Sequence, residues 1–260
     1  MSYEINMFLQ QILRKYQARN IVSNVETELK SYVHNWCQKC EPDIFISGSR
    51  AKQTAISLAS DYDYFVSLSS GCNVEQKGIE AISDALHNHL KKKYPNNIRK
   101  QNVSTRISVS GLNVDITAGT RITGYQKYHW LYRSKDDSKK QTNAKQHIDD
   151  ISNSGRTNEI KLIKIWRELN RLEFPSIYLE YLLIKKVLLN RSTDINNLDG
   201  NITYIFQELS KDEGNPLYSR IEDPSNTNNI LSDLLTKTEK EKVISAAKIA
   251  LQRNWDQVFY

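Results

Sequence analysis

Apolar and polar residues follow three successive rhythms along this chain, and each predicts its own kind of structure. From Glu4 to Tyr16 and from Ile21 to Trp36, apolar positions recur at three- and four-residue steps, the spacing of one helix face. Two amphipathic helices are expected there, both backing a sheet. From Ile44 the rhythm shortens: Ile44 to Ile46 reads as a short strand, Gly48-Ser49 as a turn, and the next residues as the first turn of a helix carrying Arg50 and Lys52. The stretch DYDYFVSL alternates as a strand does, and a helix over Glu75 to Lys93 is stopped by Pro95. VSTRISV and LNVDITAG then predict two strands joined by a Ser-Gly hairpin turn. YQKYHWLYRS alternates weakly and reads as an edge strand or a loop, and SKDDSKKQTN as a turn-rich surface loop. From about Asn143 helical spacing dominates to the end, with helices starting near Thr157 and Ser176, where Thr or Ser stands as a cap. Pro175 and Pro224 punctuate the connections. The expected architecture is α+β, a mixed sheet with flanking helices over 1–142 and a helical lobe over 143–260.

Pleat geometry gives the chain its chemistry. Side chains alternate across a strand, so Asp61 and Asp63 project to one face and Tyr62 and Tyr64 to the other. Two carboxylates aimed at one volume repel unless a positive charge lies between them, and a hard divalent cation such as Mg²⁺ answers that need. Gly48 allows a close backbone approach to an anion, and Ser49 offers a hydroxyl and an N–H at a helix start. Asp115, between Val114 and Ile116, can face the same site from a neighbouring strand. Three carboxylates suit a two-metal centre.

The order GS, Thr54, SDYDYFV and then the isolated VDI acid resembles the polymerase-β-type nucleotidyltransferase superfamily, whose pattern is hG[GS], Dh[DE]h and a later h[DE]h. RTNEIKLIKIWREL, FPSIYLEYLLIKKVL, TNAKQH, IEDPSNTNNI and EKVISAAKIALQRNW are similar to the group that contains oligoadenylate synthases, bacterial cyclic-oligonucleotide synthases (CD-NTases) and archaeal-type CCA-adding enzymes. The resemblance implies a nucleotidyltransferase-fold catalytic lobe with a helical lobe closing the nucleotide cleft. Asp61, Asp63 and Asp115 would hold two Mg²⁺ ions, with Mn²⁺ as the alternative, and Asp115 would help take the proton from the acceptor hydroxyl. Gly48 and Ser49 would bind the β- and γ-phosphates. Lys164, with Lys161 one turn earlier, and Ser176 would approach the triphosphate. The family's base-stacking aromatic is replaced by Ile177 here, and Tyr178 is the nearest ring. The implied reaction is transfer of a nucleoside monophosphate from a nucleoside triphosphate, ATP foremost, to a hydroxyl, yielding a short linear or cyclic oligonucleotide messenger. Nucleotide addition to an RNA or tRNA end and protein nucleotidylation are the alternatives.

Composition bounds the remainder. At 260 residues and 39% hydrophobic, the chain can bury a sizeable core. Its net charge of +6 and pI of 9.0 favour polyanions, nucleotides first and RNA second. The Lys91-Lys92-Lys93 and Lys139-Lys140 clusters are expected to end a helix or lie in wet loops, and Tyr125, Tyr128, Trp130 and Tyr132 to pack rather than stack on bases. No apolar run is long enough to span a membrane and MSYEINMF is not built as a signal peptide, so a cytoplasmic protein is expected. Three cysteines argue against a disulfide framework. Cys37 and Cys40, in a CxxC with His34 one turn before, are expected as buried thiols rather than zinc ligands.

Overall fold

The computed structural model describes residues 2–20, 23–59, 61–72 and 78–260. In chain order the elements are α1 (Ser2–Lys15), α2 (Ser23–Cys37), β1 (Asp43–Ile46), α3 (Gly48–Ala51), β2 (Tyr62–Leu68), α4 (Ile79–Lys93), β3 (Ile98–Lys100), β4 (Thr105–Val109), β5 (Leu112–Ile122), β6 (Tyr125–Arg133) and β7 (Ser138–Thr142). Then come α5 (Ala144–Ser152), α6 (Thr157–Leu169), α7 (Ser176–Leu182), α8 (Leu198–Leu209), β8 (Glu222–Asp223), β9 (Asn226–Ile230), α9 (Lys237–Leu251) and α10 (Trp255–Val258). The fold is α+β, and it divides into two compact units. The sheet unit comprises Arg19–Ala51 and Asp61–Ile148; the helical unit comprises Met1–Ala18, Lys52–Ser60 and Asp149–Tyr260.

In the sheet unit the strand order is β1-β2-β5-β4-β3, with β6 paired to the far end of β5 and β7 to β6. The central β2–β5 pair is parallel; its neighbours β1 and β4 run antiparallel. Alternation fixes which face is dry. Tyr62, Tyr64, Val66 and Leu68 of β2 join Val114, Ile116 and Ala118 of β5 and Ile107 of β4 in a core closed by α2 and α4 through Leu29, Val33, Ile82, Leu86 and Leu90. The opposite face carries Asp63 and Asp115. Ser110 (φ 51°) and Gly111 (φ 75°) join β4 to β5 with both central residues left-handed, the two-residue turn whose twist suits a hairpin.

The helical unit has its own core, with Leu162, Ile163, Trp166, Tyr178, Tyr181, Ile202 and Phe206 all at most 1% exposed. Its α9 starts with a reciprocal cap: Thr236 accepts from the Glu239 N–H while the Glu239 carboxylate accepts from the Thr236 N–H.

Several expectations are corrected. The α1 helix does not back the sheet; Leu9, Ile12 and Tyr16 lie in the helical core, because periodicity shows that a face is buried but not against which partner. The SKDDSKKQTN stretch contains β7, an all-polar edge strand, and β6 is a full strand. The short strands β3, β8 and β9 were not expected. Thr157 and Ser176 start α6 and α7, but the cap positions are Arg156 and Pro175, with no capping side chain. Cys40 is not a free thiol: it is bonded to Cys72, while Cys37 is free and buried. Residues 75–77 of the expected Glu75–Lys93 helix, and Ile21 of the second, lie outside the described residues. Among the described residues no helix is long and apolar enough to cross a membrane.

Candidate active site

Strand register brings the acids together. Asp63 is the direct partner of Asp115 across the parallel β2–β5 pair, and Arg106 of β4 is the direct partner of Asp115 on its other side. These three side chains therefore line up across three strands on the face away from the apolar core. Asp61 stands just before β2. The turn after β1 docks onto the same place: the Ser47 N–H donates to the Asp63 carbonyl at 2.7 Å, and Gly48 follows with φ of 60°. A Cβ at position 48 would lie 1.9 Å from Asp63 Oδ2, so only glycine lets the turn and the carboxylate occupy this geometry together. Ser49 is half-buried on α3, whose Arg50 guanidinium lies 3.6 Å over the Tyr62 ring.

Arg106 binds the acids directly. Its Nε donates to Asp115 Oδ1 at 2.7 Å and its Nη2 to Asp115 Oδ2 at 2.6 Å, and the same Nη2 also donates to Asp61 Oδ2. The paired hydrogen bonds to Asp115 hold the guanidinium still more firmly protonated than usual. Arg106 escaped the sequence reading, yet a signal was there. With Ser110-Gly111 as the two-residue turn, hairpin counting pairs Val109 with Leu112 and, three steps further back, Arg106 with Asp115.

The helical unit holds the other candidates. Lys164 is 2% exposed, and its ammonium donates to Glu180 Oε1 at 2.6 Å and Thr54 Oγ1 at 2.9 Å. Lys52 donates to the second Glu180 oxygen at 2.6 Å, and Thr54 also donates to Oε1. Burial pushes the Lys164 ammonium down to about 8, with Glu180 opposing. Burial would raise the Glu180 carboxyl, but attraction to Lys52 and Lys164 outweighs it and holds the group at about 2. Lys161 is half-buried, and that burial lowers its ammonium pKa. Ser176 is half-buried and accepts from Arg167 at 3.0 Å. Tyr178 is wholly buried, with its hydroxyl on the Leu217 carbonyl and its ring edge-on to Phe174, so it offers no open face to a base. The pairing of Lys52 with Glu180 was not anticipated from sequence, because it joins residues 128 positions apart.

The acidic face suits a hard cation in donor type, every ligand being a carboxylate oxygen. Its charge is at present partly balanced by Arg106. Among the described residues no three His, Cys, Asp or Glu side chains are drawn together closely enough to form a metal cage.

No protein-family model matches this chain, and no curated protein matches it. Solved structures do match its fold. The CdnC protein of E. coli MS115-1, seen in a complex with HORMA-deltaN and with ATP, is 22% identical with a TM-score of 0.72, and the first match covers 95% of this chain and 89% of that one. The Elizabethkingia meningoseptica CdnE cyclic dinucleotide synthase, with GTP and Apcpp, is 11% identical with a TM-score of 0.63 over 96% of this chain and 98% of that one. The Bradyrhizobium diazoefficiens CD-NTase CdnG, with GTP, is 12% identical with a TM-score of 0.67 over 89% of this chain and 84% of that one. This chain thus has the nucleotidyltransferase fold of the cyclic-dinucleotide synthases, as its motifs led us to expect. At such identities the likeness establishes fold, and function must be argued from the site.

Proposed function

We propose that this chain is a metal-dependent nucleotidyltransferase of the CD-NTase kind, which joins nucleotides from nucleoside triphosphates, ATP among them, into a short linear or cyclic oligonucleotide messenger with release of pyrophosphate. One observation carries the reading: Asp63 and Asp115 are in register on the polar face of this fold, with Gly48 held against the Asp63 carboxylate.

The chain's own groups fit the steps. Gly48 and Ser49 would present the turn to the β- and γ-phosphates, with no side chain at 48 to block their approach. Asp115 would accept the proton of the attacking hydroxyl. Asp61, Asp63 and Asp115 would hold Mg²⁺, which when bound supplies charge stabilisation at the phosphoryl and departing oxygens. In the helical unit Lys161 and Ser176 retain accessible surface and are the proposed direct phosphate contacts. Lys164, buried against Thr54 and Glu180, and Tyr178, buried against Leu217 and Phe174, would act by fixing the core of the helical unit. The resulting catalysis is positioning and electrostatics, without a covalent intermediate.

The experiment is a product chromatogram. Purified protein with Mg²⁺ or Mn²⁺ and labelled nucleoside triphosphates should yield small phosphatase-resistant products without added nucleic acid. Incorporation only when RNA is present would instead identify an RNA-end adder, and label on protein a nucleotidylating enzyme. Asp61→Ala combined with Asp63→Ala should abolish any of these, and full activity in that double variant would defeat the site assignment.

A further inference from the structure

The proposed reaction assigns nothing to Arg106, yet the fold builds this residue into the acidic face. Backbone register puts it opposite Asp115, and its guanidinium engages both Asp115 oxygens and one Asp61 oxygen. The Gln101 amide, turned as its hydrogen bonding demands, places its oxygen 2.7 Å from Arg106 Nε. The side chain is only 19% exposed, so it is a packed part of the site and not a surface arm that happens to touch it.

A fork held in this way does what a bound cation would do. It screens the mutual repulsion of the carboxylates and fixes the plane of Asp115. It also stands in the way of an ion. A divalent cation held by Asp61 together with Asp115 would meet the same oxygens that Arg106 now engages, beside a like charge in a partly buried setting where repulsion is poorly screened.

On the nucleotidyltransferase reading, the geometry points to Arg106 as a positioning residue that keeps a cation's place between Asp61 and Asp115 and must release Asp61 before a divalent ion can enter. The metal-free chain then holds its acids aligned and charged. Metal alone binds weakly, and binding strengthens when a triphosphate adds the negative charge that offsets both cations. The fork is therefore a device for ordered loading of metal with nucleotide.

The test is Mn²⁺ binding without nucleotide, followed by the electron paramagnetic resonance signal of free Mn²⁺, in the wild-type chain, Arg106→Gln and Arg106→Lys. Arg106→Gln should bind Mn²⁺ at least about tenfold more tightly, since a unit positive charge has left the ion's neighbourhood. Adding Asp61→Asn to Arg106→Gln should cancel that gain, because Asp61 is the ligand set free. If Arg106→Gln binds Mn²⁺ no better than wild type, while Asp63→Asn weakens binding in both, the place-keeping role is wrong and the metal reading stands. If wild type and variant bind no Mn²⁺ with or without ATP, the metal reading itself falls, and this inference with it. Should Arg106→Gln not fold, the wild-type chain still decides. Its Arg106 guanidinium NMR resonances, identified by their loss in Arg106→Lys, should shift when Mg²⁺ and ATP are added together, and unmoved resonances overturn the proposal.

Discussion

At position 48 the backbone turns with φ of 60°, and the space a Cβ would fill is already taken by the Asp63 carboxylate. Gly48→Ala therefore carries two costs: about 1–2 kcal/mol for a left-handed non-glycine residue, and displacement of a proposed metal ligand. Gly124 provides the control, since it too has positive φ (82°) but no atom within 4 Å of its Cβ position. Both alanine variants should lose stability in urea, Gly48→Ala the more because Asp63 must also shift, whereas only Gly48→Ala should lose about a hundredfold or more in turnover, the scale of a misplaced catalytic group. Equal activity in the two would remove Gly48 from the site. In the helical unit Glu180 answers two buried ammonium groups, so Glu180→Gln should cost about 3–5 kcal/mol by leaving both cations without a carboxylate. Lys164→Met should cost less, because the Lys52–Glu180 pair survives, and chemical denaturation ranks the two. The pH dependence has a definite sign. Glu180 sits at about 2 in the folded chain against 4.5 for the ordinary carboxyl, so its stabilisation is complete above 4.5 and fades as pH falls towards 2. Melting curves of wild type should lose an increment over that window that Glu180→Gln lacks.

Elements with two unlike faces were legible in the sequence, and elements defined by their partners were not. The DYDYFVSL strand alternates because one face meets α2 and α4 while the other carries Asp63, and the Ser110-Gly111 turn announces the hairpin holding Asp115. The candidate turn and its acids were legible for a different local reason: Gly48, Asp61 and Asp63 lie close together in the chain. By contrast β7 is polar throughout and exists through its pairing with β6, so no local pattern marks it. The allegiance of α1 to the helical core and the Lys52–Glu180 contact depend on long-range packing that periodicity does not encode. The Cys40–Cys72 bond belongs to this second group, for it ties the turn after α2 to the segment following β2 across a sequence separation of 32. A loop of that length restrains the unfolded chain enough to stabilise the sheet unit by roughly 2–4 kcal/mol. Urea denaturation with and without a phosphine reductant should show an unfolding free energy lower by that amount, and hence a lower midpoint, in reduced wild type and no change in Cys72→Ser. A midpoint indifferent to reductant in wild type would mean that the bond contributes nothing to stability.

Over the whole molecule, two separate cores serve two different kinds of candidate residue. The carboxylates and the glycine turn belong to the sheet unit, and the lysine–glutamate cluster belongs to the helical unit. Thermal unfolding of such a chain need not be one all-or-none step, and calorimetry can follow each unit's transition. The net charge of +6 favours the approach of a polyanion, and on the proposed reading the acids and Arg106 would set what accompanies a triphosphate. Ligand that binds only the native state adds stability by mass action, about 2.7 kcal/mol at a hundredfold excess over Kd. For a unit of this size the gain is an upward shift on the order of 10 °C. Mg²⁺ supplied with a non-hydrolysable ATP analogue should therefore raise the transition of the sheet unit by that amount, and either component alone should raise it less. Asp63→Asn leaves a half-buried, nearly isosteric side chain in place, so it should preserve the unliganded transition and lose the shift. A shift of full size in Asp63→Asn would mean that the nucleotide and its cation are held somewhere other than the face shared by β2, β5 and the Gly48 turn.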